Sequence, residues 1–294
     1  MATTTLQALV FQMRHEASGI ISVELRPTTP ASAFPVAAAG AHVDLHLGNG
    51  LVRSYSLINP GDTHRYVVAV LNDRRSRGGS RFVHEQLRVG QVITLGGPRN
   101  HFRLDEDARH SVLLAGGIGI TPIYAMLQRL AALGREAHLV YCARSRSEAA
   151  FLAEIEAIAS ASDTRLSLRC HFDGEQGGPP DLERLLAGHP PDAHFYCCGP
   201  GPMLDAYERA CERLGQHNVH LERFAATTTA PPATPASGYT VELRRSGRTV
   251  QVPPGIPLLD ALIEAGLNPD HSCREGVCGA CETRVISGLS LIHI

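Results

Sequence analysis

The chain has 294 residues, enough for two or three domains, and its 27 Lys+Arg against 29 Asp+Glu leave a formal charge of −2. That balance gives no electrostatic case for nucleic acid or an anionic membrane surface as partner. No apolar run approaches the roughly 20 residues of a membrane span, and Met1-Ala-Thr-Thr-Thr5 lacks the layout of a secretory leader, so the sequence reads as soluble and cytoplasmic. Three of the eight cysteines fall in one compact cluster, which argues against a disulfide framework.

From Leu6 to Leu95 the pattern is short and β-like. The runs 20–25, 41–47, 54–58, 66–71 and 91–95 are separated by Pro, Gly, Asn and Asp, as in a small antiparallel barrel interrupted by one helix near Ser80–Leu87. Within it, Arg53-Ser54-Tyr55-Ser56 offers a cation for phosphate, an aromatic face and hydroxyls. An ordinary surface arginine beside a core tyrosine fits that tetrapeptide as well. Arg77-Gly78-Gly79-Ser80 opens the helix, a second place suited to a phosphate.

After Ser111 the period changes. The strand-like runs 111–115, 137–142, 166–172, 194–198 and 219–221 alternate with helical segments, which points to a parallel sheet covered by helices. The first strand leads into Gly116-Gly117-Ile118-Gly119-Ile120-Thr121-Pro122, where Thr121 reads as an N-cap and Pro122 as the first helical residue. Ile123, Met126, Leu127 and Leu130 then mark one helix face. Glycines there allow close approach of backbone N–H groups to a diphosphate. The turn lacks the third glycine and the acidic ribose clamp of the Rossmann fingerprint, so packing alone is an open alternative. Cys197-Cys198-Gly199-Pro200-Gly201-Pro202 makes a second strand-to-helix turn; its thiols either face a nicotinamide ring or are plain buried residues. Glu222-Arg223-Phe224 closes the last strand with an aromatic able to cover a flavin. Fifteen histidines show no metal spacing.

Ala225–Ser237, with three prolines and no apolar period, reads as a linker. A hairpin (239–243 with 249–252) and a helix stopping at Gly266 precede Cys273-x4-Cys278-x2-Cys281, the spacing of a plant-type 2Fe-2S loop. Three thiolates converging on a small anionic cluster need tight backbone, and Gly276 and Gly279 permit it. A zinc site would want a second Cys-x2-Cys hook. A fourth cysteine ligand is absent from the sequence. The last six residues, Leu289–Ile294, are the translation of a transposase adapter, CTG TCT CTT ATA CAC ATC; the expectation is that they are non-native and that the genuine C-terminus is lost.

These motifs, in this order and with the iron-sulfur loop last, resemble the phthalate dioxygenase reductase family, which includes vanillate demethylase reductase components. The resemblance implies a multidomain chain: an FMN-binding antiparallel β-barrel (1–105), an NAD-binding α/β domain with a parallel sheet (106–224), a linker (225–238), a β-grasp 2Fe-2S ferredoxin domain, incomplete (239–288), and the tail (289–294). It implies that Arg53, Ser54, Tyr55, Ser56, Ala69, Val70, Leu71, Arg77, Gly78, Gly79 and Ser80 line FMN, with Thr121 and Phe224 near its ring. Gly116, Gly117, Gly119, Cys198, Gly199 and Pro200 then contact the nicotinamide nucleotide, Cys273, Cys278 and Cys281 ligate the cluster, and Ser272 faces the flavin.

The implied activity is electron transfer from NADH through FMN and the 2Fe-2S cluster to a Rieske-type oxygenase acting on an aromatic acid. Protein groups would position cofactors rather than act as acid or base, and no catalytic residue is expected. The resemblance favours NADH, although Arg144, Ser145 and Arg146 after the second strand suit a 2′-phosphate. A flavin reductase without a cluster, and a non-enzymatic redox sensor, are the competing readings.

Overall fold

A computed structural model describes residues 5–29, 31–74, 76–161, 165–224, 238–267, 269, 276 and 281–288. The described residues divide into two compact units, one ending at Phe224 and the other starting at Gly238.

The first unit begins with six strands: β1 (Thr5–Ala17), β2 (Ile20–Pro27), β3 (His42–His46), β4 (Val52–Ser56), β5 (Tyr66–Leu71) and β6 (Val92–Arg99), with helix α1 (Gly79–Glu85) between the last two. They form one antiparallel sheet in the order β4-β3-β6-β1-β2-β5. Its two edges meet through a bridge between Leu57 and Val68, and the Ile58 N–H donates to the Val67 carbonyl at 2.9 Å. The sheet thereby closes on itself, which removes its unpaired edges. Alternate side chains fill the interior, among them Val10, Val23, Leu25, Val43, Leu45, Val68 and Leu95, joined by Val83 of α1 and Leu87.

The longest strand, β1, carries no clear sequence signal, and its register explains why. Irregularities between Val10 and Gln12 and between His15 and Ala17 break the period of two. Phe11 is thereby turned outward, 42% exposed, with the Arg26 guanidinium 3.3 Å from its ring centroid.

The same unit continues with β7 (His110–Gly116), α2 (Ile120–Ala132), β8 (Glu136–Ala143), α3 (Leu152–Ala161), β9 (Leu166–Phe172), the short helices α4 (Asp173–Gln176) and α5 (Leu182–Leu186), β10 (His194–Cys198), α6 (Gly201–Arg213) and β11 (Asn218–Glu222). All neighbours in the order β11-β10-β7-β8-β9 are parallel. Both faces are covered. Leu113, Ala115, Tyr196 and Cys198 pack with α2 and α3, while Val112, Leu114, Phe195 and Cys197 pack with α5 and α6. Strands buried on both faces read as continuous apolar runs, as these do.

Barrel and parallel sheet share a core. Ala17, Ile20, Ala39, Ile58, Ala69 and Phe102 of the first part lie in one apolar cluster with Ile123, Met126 and Leu127 of α2. Polar ties reinforce it: Gln128 Nε2 donates to the Ile58 carbonyl at 2.6 Å, and the Asp105 N–H to Tyr196 Oη at 2.9 Å.

The start of α2 corrects the expectation for Thr121. A single 3-10 turn (Gly117–Gly119) leads directly into the helix, Gly119 occupies the N-cap, and Thr121 and Pro122 already lie inside the first turn. Thr121 is buried and its hydroxyl donates back to the Ile118 carbonyl at 3.0 Å, so it caps nothing.

The second unit is small. Strands β12 (Tyr239–Leu243) and β13 (Arg248–Val252) pair antiparallel, and α7 (Leu258–Glu264) places Ala261 in a core with Val250 and Val252. No helix among the described residues is long and apolar enough to cross a membrane.

A Cβ on Gly119 would overlap the Cys198 carbonyl and lie 2.7 Å from the Gly199 nitrogen. Backbone on both sides cannot yield cheaply, so Gly119→Ala is expected to destabilise this unit by about 2 kcal/mol or more, read as a lower midpoint in urea.

Candidate functional site

In the parallel sheet the chain runs outward from β7 through β8 to β9, then returns to the other side of β7 as β10 and β11. The order reverses between β7 and β10, and a crevice at the carboxyl ends of such strands is where open α/β sheets bind ligands. Helices α2 and α6 both start there, and neither has a side-chain cap on its first N–H groups. The positive ends of two helix dipoles suit a diphosphate, although Ile120, Met203 and Leu204 already donate to backbone carbonyls and Pro122 and Pro202 carry no N–H.

The glycines have divided roles. A Cβ on Gly116 would lie 2.8 Å from Pro200 Cδ, and one on Gly199 would lie 3.2 Å from Gly116 Cα. With Gly119, these residues let two loops pack closely, with the Met203 sulfur the nearest atom to a Cβ built on Gly116 or Gly199. Gly117, with φ at +54°, and Gly201 have open space beside them and leave room for a ligand against their own Cα.

Cys197 and Cys198 point to opposite faces of the sheet, and both are fully buried. Burial raises both thiols well above their ordinary pKa, so each is a neutral S–H. Cys198 stands in register with Glu222 on β11.

On the barrel, β4 brings Arg53 onto the loop that opens α1. A Cβ on Gly79 would lie 2.6 Å from Arg53 Cγ, and Arg53 Nη2 donates to the Arg77 carbonyl at 3.3 Å. Gly78 takes the left-handed conformation, φ +93°, that this approach requires. Ser80 Oγ accepts from the Asp73 N–H, and His84 Nε2 meets the Val70 carbonyl at 2.9 Å, which ties α1 to β5. Arg53, Arg77, Gly78, Gly79 and Ser80 are thus gathered into one cradle. Tyr55, next but one to Arg53, has its phenol raised to about 12 by burial, eased by the Arg53 charge. Ser54 Oγ donates to Asp44 Oδ1 at 2.7 Å, and Arg99 Nη2 pairs with Asp44 Oδ2 at 2.7 Å, fixing β4 against its neighbours.

Two buried carboxylates went unread in the sequence. Buried Asp44 is one. Glu222 is the other: it lies at the junction of barrel and sheet, 4.0 Å from His42 Nδ1, and burial raises its carboxyl to about 8 while Ser56 acts in the opposite direction. Neither Ser56 Oγ nor Glu222 Oε2 completes a hydrogen bond of full geometry among the described residues. Buried polar atoms in this condition mark a place for another polar group. The signal available was a carboxylate at the last residue of a strand whose neighbour ends in Cys198-Gly199-Pro200.

Phe224 is 42% exposed just beyond β11. Ala69 and Val70 of β5 are buried, and Leu71 is exposed. Ser272, Cys273, Cys278 and the tail Leu289–Ile294 lie outside the described residues; Cys281 lies within them and is partly buried.

Two family models match: an oxidoreductase NAD-binding domain over residues 113–209 and a 2Fe-2S iron-sulfur cluster binding domain over 241–291. The chain is 50% identical over 254 residues to phenoxybenzoate dioxygenase subunit beta of Ectopseudomonas oleovorans, covering 85% of this chain and 76% of the relative. It is 46% identical over 288 residues to tetrachlorobenzoquinone reductase of Sphingobium chlorophenolicum, covering 97% and 87%. Among solved structures, phthalate dioxygenase reductase, described as a modular structure for electron transfer from pyridine nucleotides to 2Fe-2S, superposes with a TM-score of 0.75 at 33% identity, over 97% of this chain and 87% of that one. An intact type IV self-sufficient cytochrome P450 monooxygenase gives a TM-score of 0.86 at 37% identity; 97% of this chain matches 36% of that much longer one.

The folded protein holds the Glu222 proton up to about 8, whereas an unfolded glutamate loses it near 4.5. Between those values the native state binds more protons, so this group makes stability fall as pH rises and adds no slope above about 8. Glu222→Gln is expected to flatten the stability profile across that window and to be more stable than the parent above it, measured by urea unfolding at a series of pH values.

Proposed function

The chain belongs to the phthalate dioxygenase reductase family, which includes the vanillate O-demethylase oxidoreductases, and from that premise we propose that it carries electrons from NADH through FMN and a 2Fe-2S cluster to a Rieske-type oxygenase. The observation that carries this reading is the pairing, on one polypeptide, of an NAD-binding domain with a 2Fe-2S domain. A pyridine nucleotide gives up two electrons as hydride, and a 2Fe-2S cluster takes one at a time. A converter between them is required. Bound FMN supplies it, accepting a hydride and releasing single electrons.

The residues present fit that group. Arg53, held against Gly79 and the Arg77 carbonyl, supplies a fixed cation for the phosphate. Tyr55 gives an aromatic surface, and Ser56 Oγ is a buried hydroxyl in want of a polar partner. Glu222 keeps a proton at neutral pH close to Ser56. At the crevice, Gly117 and the starts of α2 and α6 seat the diphosphate of the nucleotide. Cys273, Cys278 and Cys281 are assigned to the cluster on their spacing. The overall reaction balances as NADH plus two oxidised one-electron acceptors giving NAD+, a proton and two reduced acceptors. We place the protein in the cytoplasm, where NADH is supplied.

Tetrachlorobenzoquinone reductase among the relatives favours a quinone as a second acceptor class. The test supplies the purified protein with NADH and either an oxidised Rieske oxygenase component or a substituted benzoquinone. Reduction of the Rieske protein supports the main reading, and reduction of the quinone alone replaces it. Arg53→Ala is expected to weaken FMN binding by about tenfold or more, the scale of a charge-assisted phosphate contact, measured by fluorescence titration of the flavin-free protein.

A further inference from the structure

The segment 100–107 lies between the last barrel strand and β7, and it is tied to the parallel-sheet part at two points. The Asp105 N–H donates to Tyr196 Oη at 2.9 Å, and the Glu106 carboxylate accepts from Arg129 Nε at 2.9 Å and Nη2 at 2.6 Å. Beside the segment is an open cavity of about 810 Å³ whose lining includes His101, Arg103, Asp105 and His220. His220, on the edge strand β11, is half-buried there within reach of solvent.

His220 meets His194 across the pairing of β11 with β10. Its Nε2 lies 3.3 Å from His194 Nδ1, the ring planes differ by 16° and the centroids are 5.4 Å apart. That separation is nearly the N···N distance with one ring radius added at either end, the largest value the N···N distance permits. The two nitrogens therefore point at each other along one line, ring edge to ring edge. A metal ion needs about 2 Å to each nitrogen, more than this collinear gap offers. A single proton fits.

On its other side His194 Nε2 faces Asp105 Oδ2 at 3.9 Å, so a first added proton belongs on His194, between the carboxylate and a neutral His220 ring. A second, on His220, sets two N–H donors against each other with no acceptor between them. Burial and the His194 charge push the His220 ring below its ordinary value of 6.5, and Asp105 opposes them. The other neighbours bring no countercharge. Tyr196 stacks on His220 with centroids 4.6 Å apart, and Tyr207 Oη on α6 donates to the His220 carbonyl at 3.4 Å. Glu222, two residues on, holds its proton up to about 8 and is neutral in acid. Glu106 is engaged by Arg129, Asp107 pairs with Arg135 at 3.7 Å, and His101 and Arg103 carry no negative charge. Tyr196 Oη, which holds the Asp105 N–H, also lies 3.5 Å from His194 Nδ1, so displacement of either imidazole reaches the tie to the segment.

We propose that His194 and His220 share one proton and form an acid-sensitive latch: a second proton breaks their bond and loosens segment 100–107 from the sheet. The latch involves no cofactor and stands apart from the electron-transfer reading.

The test uses the full-length protein with isotope-labelled histidine, its ring nitrogens followed by NMR as the pH is lowered. The expected result is two coupled steps for the pair, separated by about one pH unit or more, the lower one below the ordinary histidine value. Over that lower step the protection of the Asp105 amide against hydrogen exchange falls by about tenfold or more. Urea unfolding shows stability lost over the same range, because the unfolded chain binds a proton that the folded pair resists. In His220→Gln the amide can meet His194 as donor or acceptor and takes up no second proton. That variant is expected to keep the parent's stability at neutral pH and to lose less of it in acid, the Glu222 contribution being common to both. Independent titration of the two rings near the ordinary value, unchanged Asp105 protection across the lower step, or parallel stability profiles for parent and variant overturns the latch. The ring titration and the amide protection decide it on the parent protein alone if the variant fails to fold.

Discussion

The contact between the Gly119 backbone and the Cys198 carbonyl is the constraint from which the nucleotide site follows. A side chain at Gly119 has no room, and Gly116 and Gly199 are pressed together in the same way. Two loops packed this closely bring the starts of α2 and α6, neither with a side-chain cap, to one crevice. The binding site is thus a consequence of packing: the glycines bring the helices together, and the helices supply the field.

A second consequence concerns the flavin side. Because α2 packs on the parallel sheet with one face and shares a core with Ile58, Ala69 and Phe102, barrel and sheet cannot separate without exposing apolar surface. The Arg53–Gly79 cradle and the nucleotide crevice therefore belong to one unit. Glu222 and Ser56 lie at that junction, and the raised carboxyl is the electrostatic result of burying a polar pair where the two sheets meet. A flavin site on the barrel and a hydride donor on the sheet are compatible with such an arrangement.

Much of this organisation is legible in the sequence because the period of the apolar residues is clean where both faces of a strand are covered. Leu113 and Leu114, or Tyr196 and Cys197, are adjacent apolar residues that serve opposite faces. Pattern fails where geometry is local. The irregularities of β1 place Phe11 on the wrong side of its own alternation, and no rule of period two recovers that. Thr121 has the composition of a cap, yet the preceding glycines already turn in 3-10 form and begin the helix earlier. Glycine-rich loops signal close approach without saying to what, and here most of them approach another loop. Glu222 is hidden for a different reason: its importance comes from Ser56 and His42, far away in the chain, which only the folded barrel brings beside it.

A two-electron donor and a one-electron acceptor joined on a single chain must communicate through something that handles both currencies, and that is the claim on which the functional account stands. It is tested most directly by anaerobic titration with NADH of the protein in a form that carries a fourth cluster cysteine and both cofactors, following flavin absorbance and the electron paramagnetic resonance of the cluster together. The account predicts that the flavin band bleaches and that a reduced 2Fe-2S signal grows in the same titration. Flavin bleaching with a cluster that stays oxidised, or no bleaching at all, would contradict it.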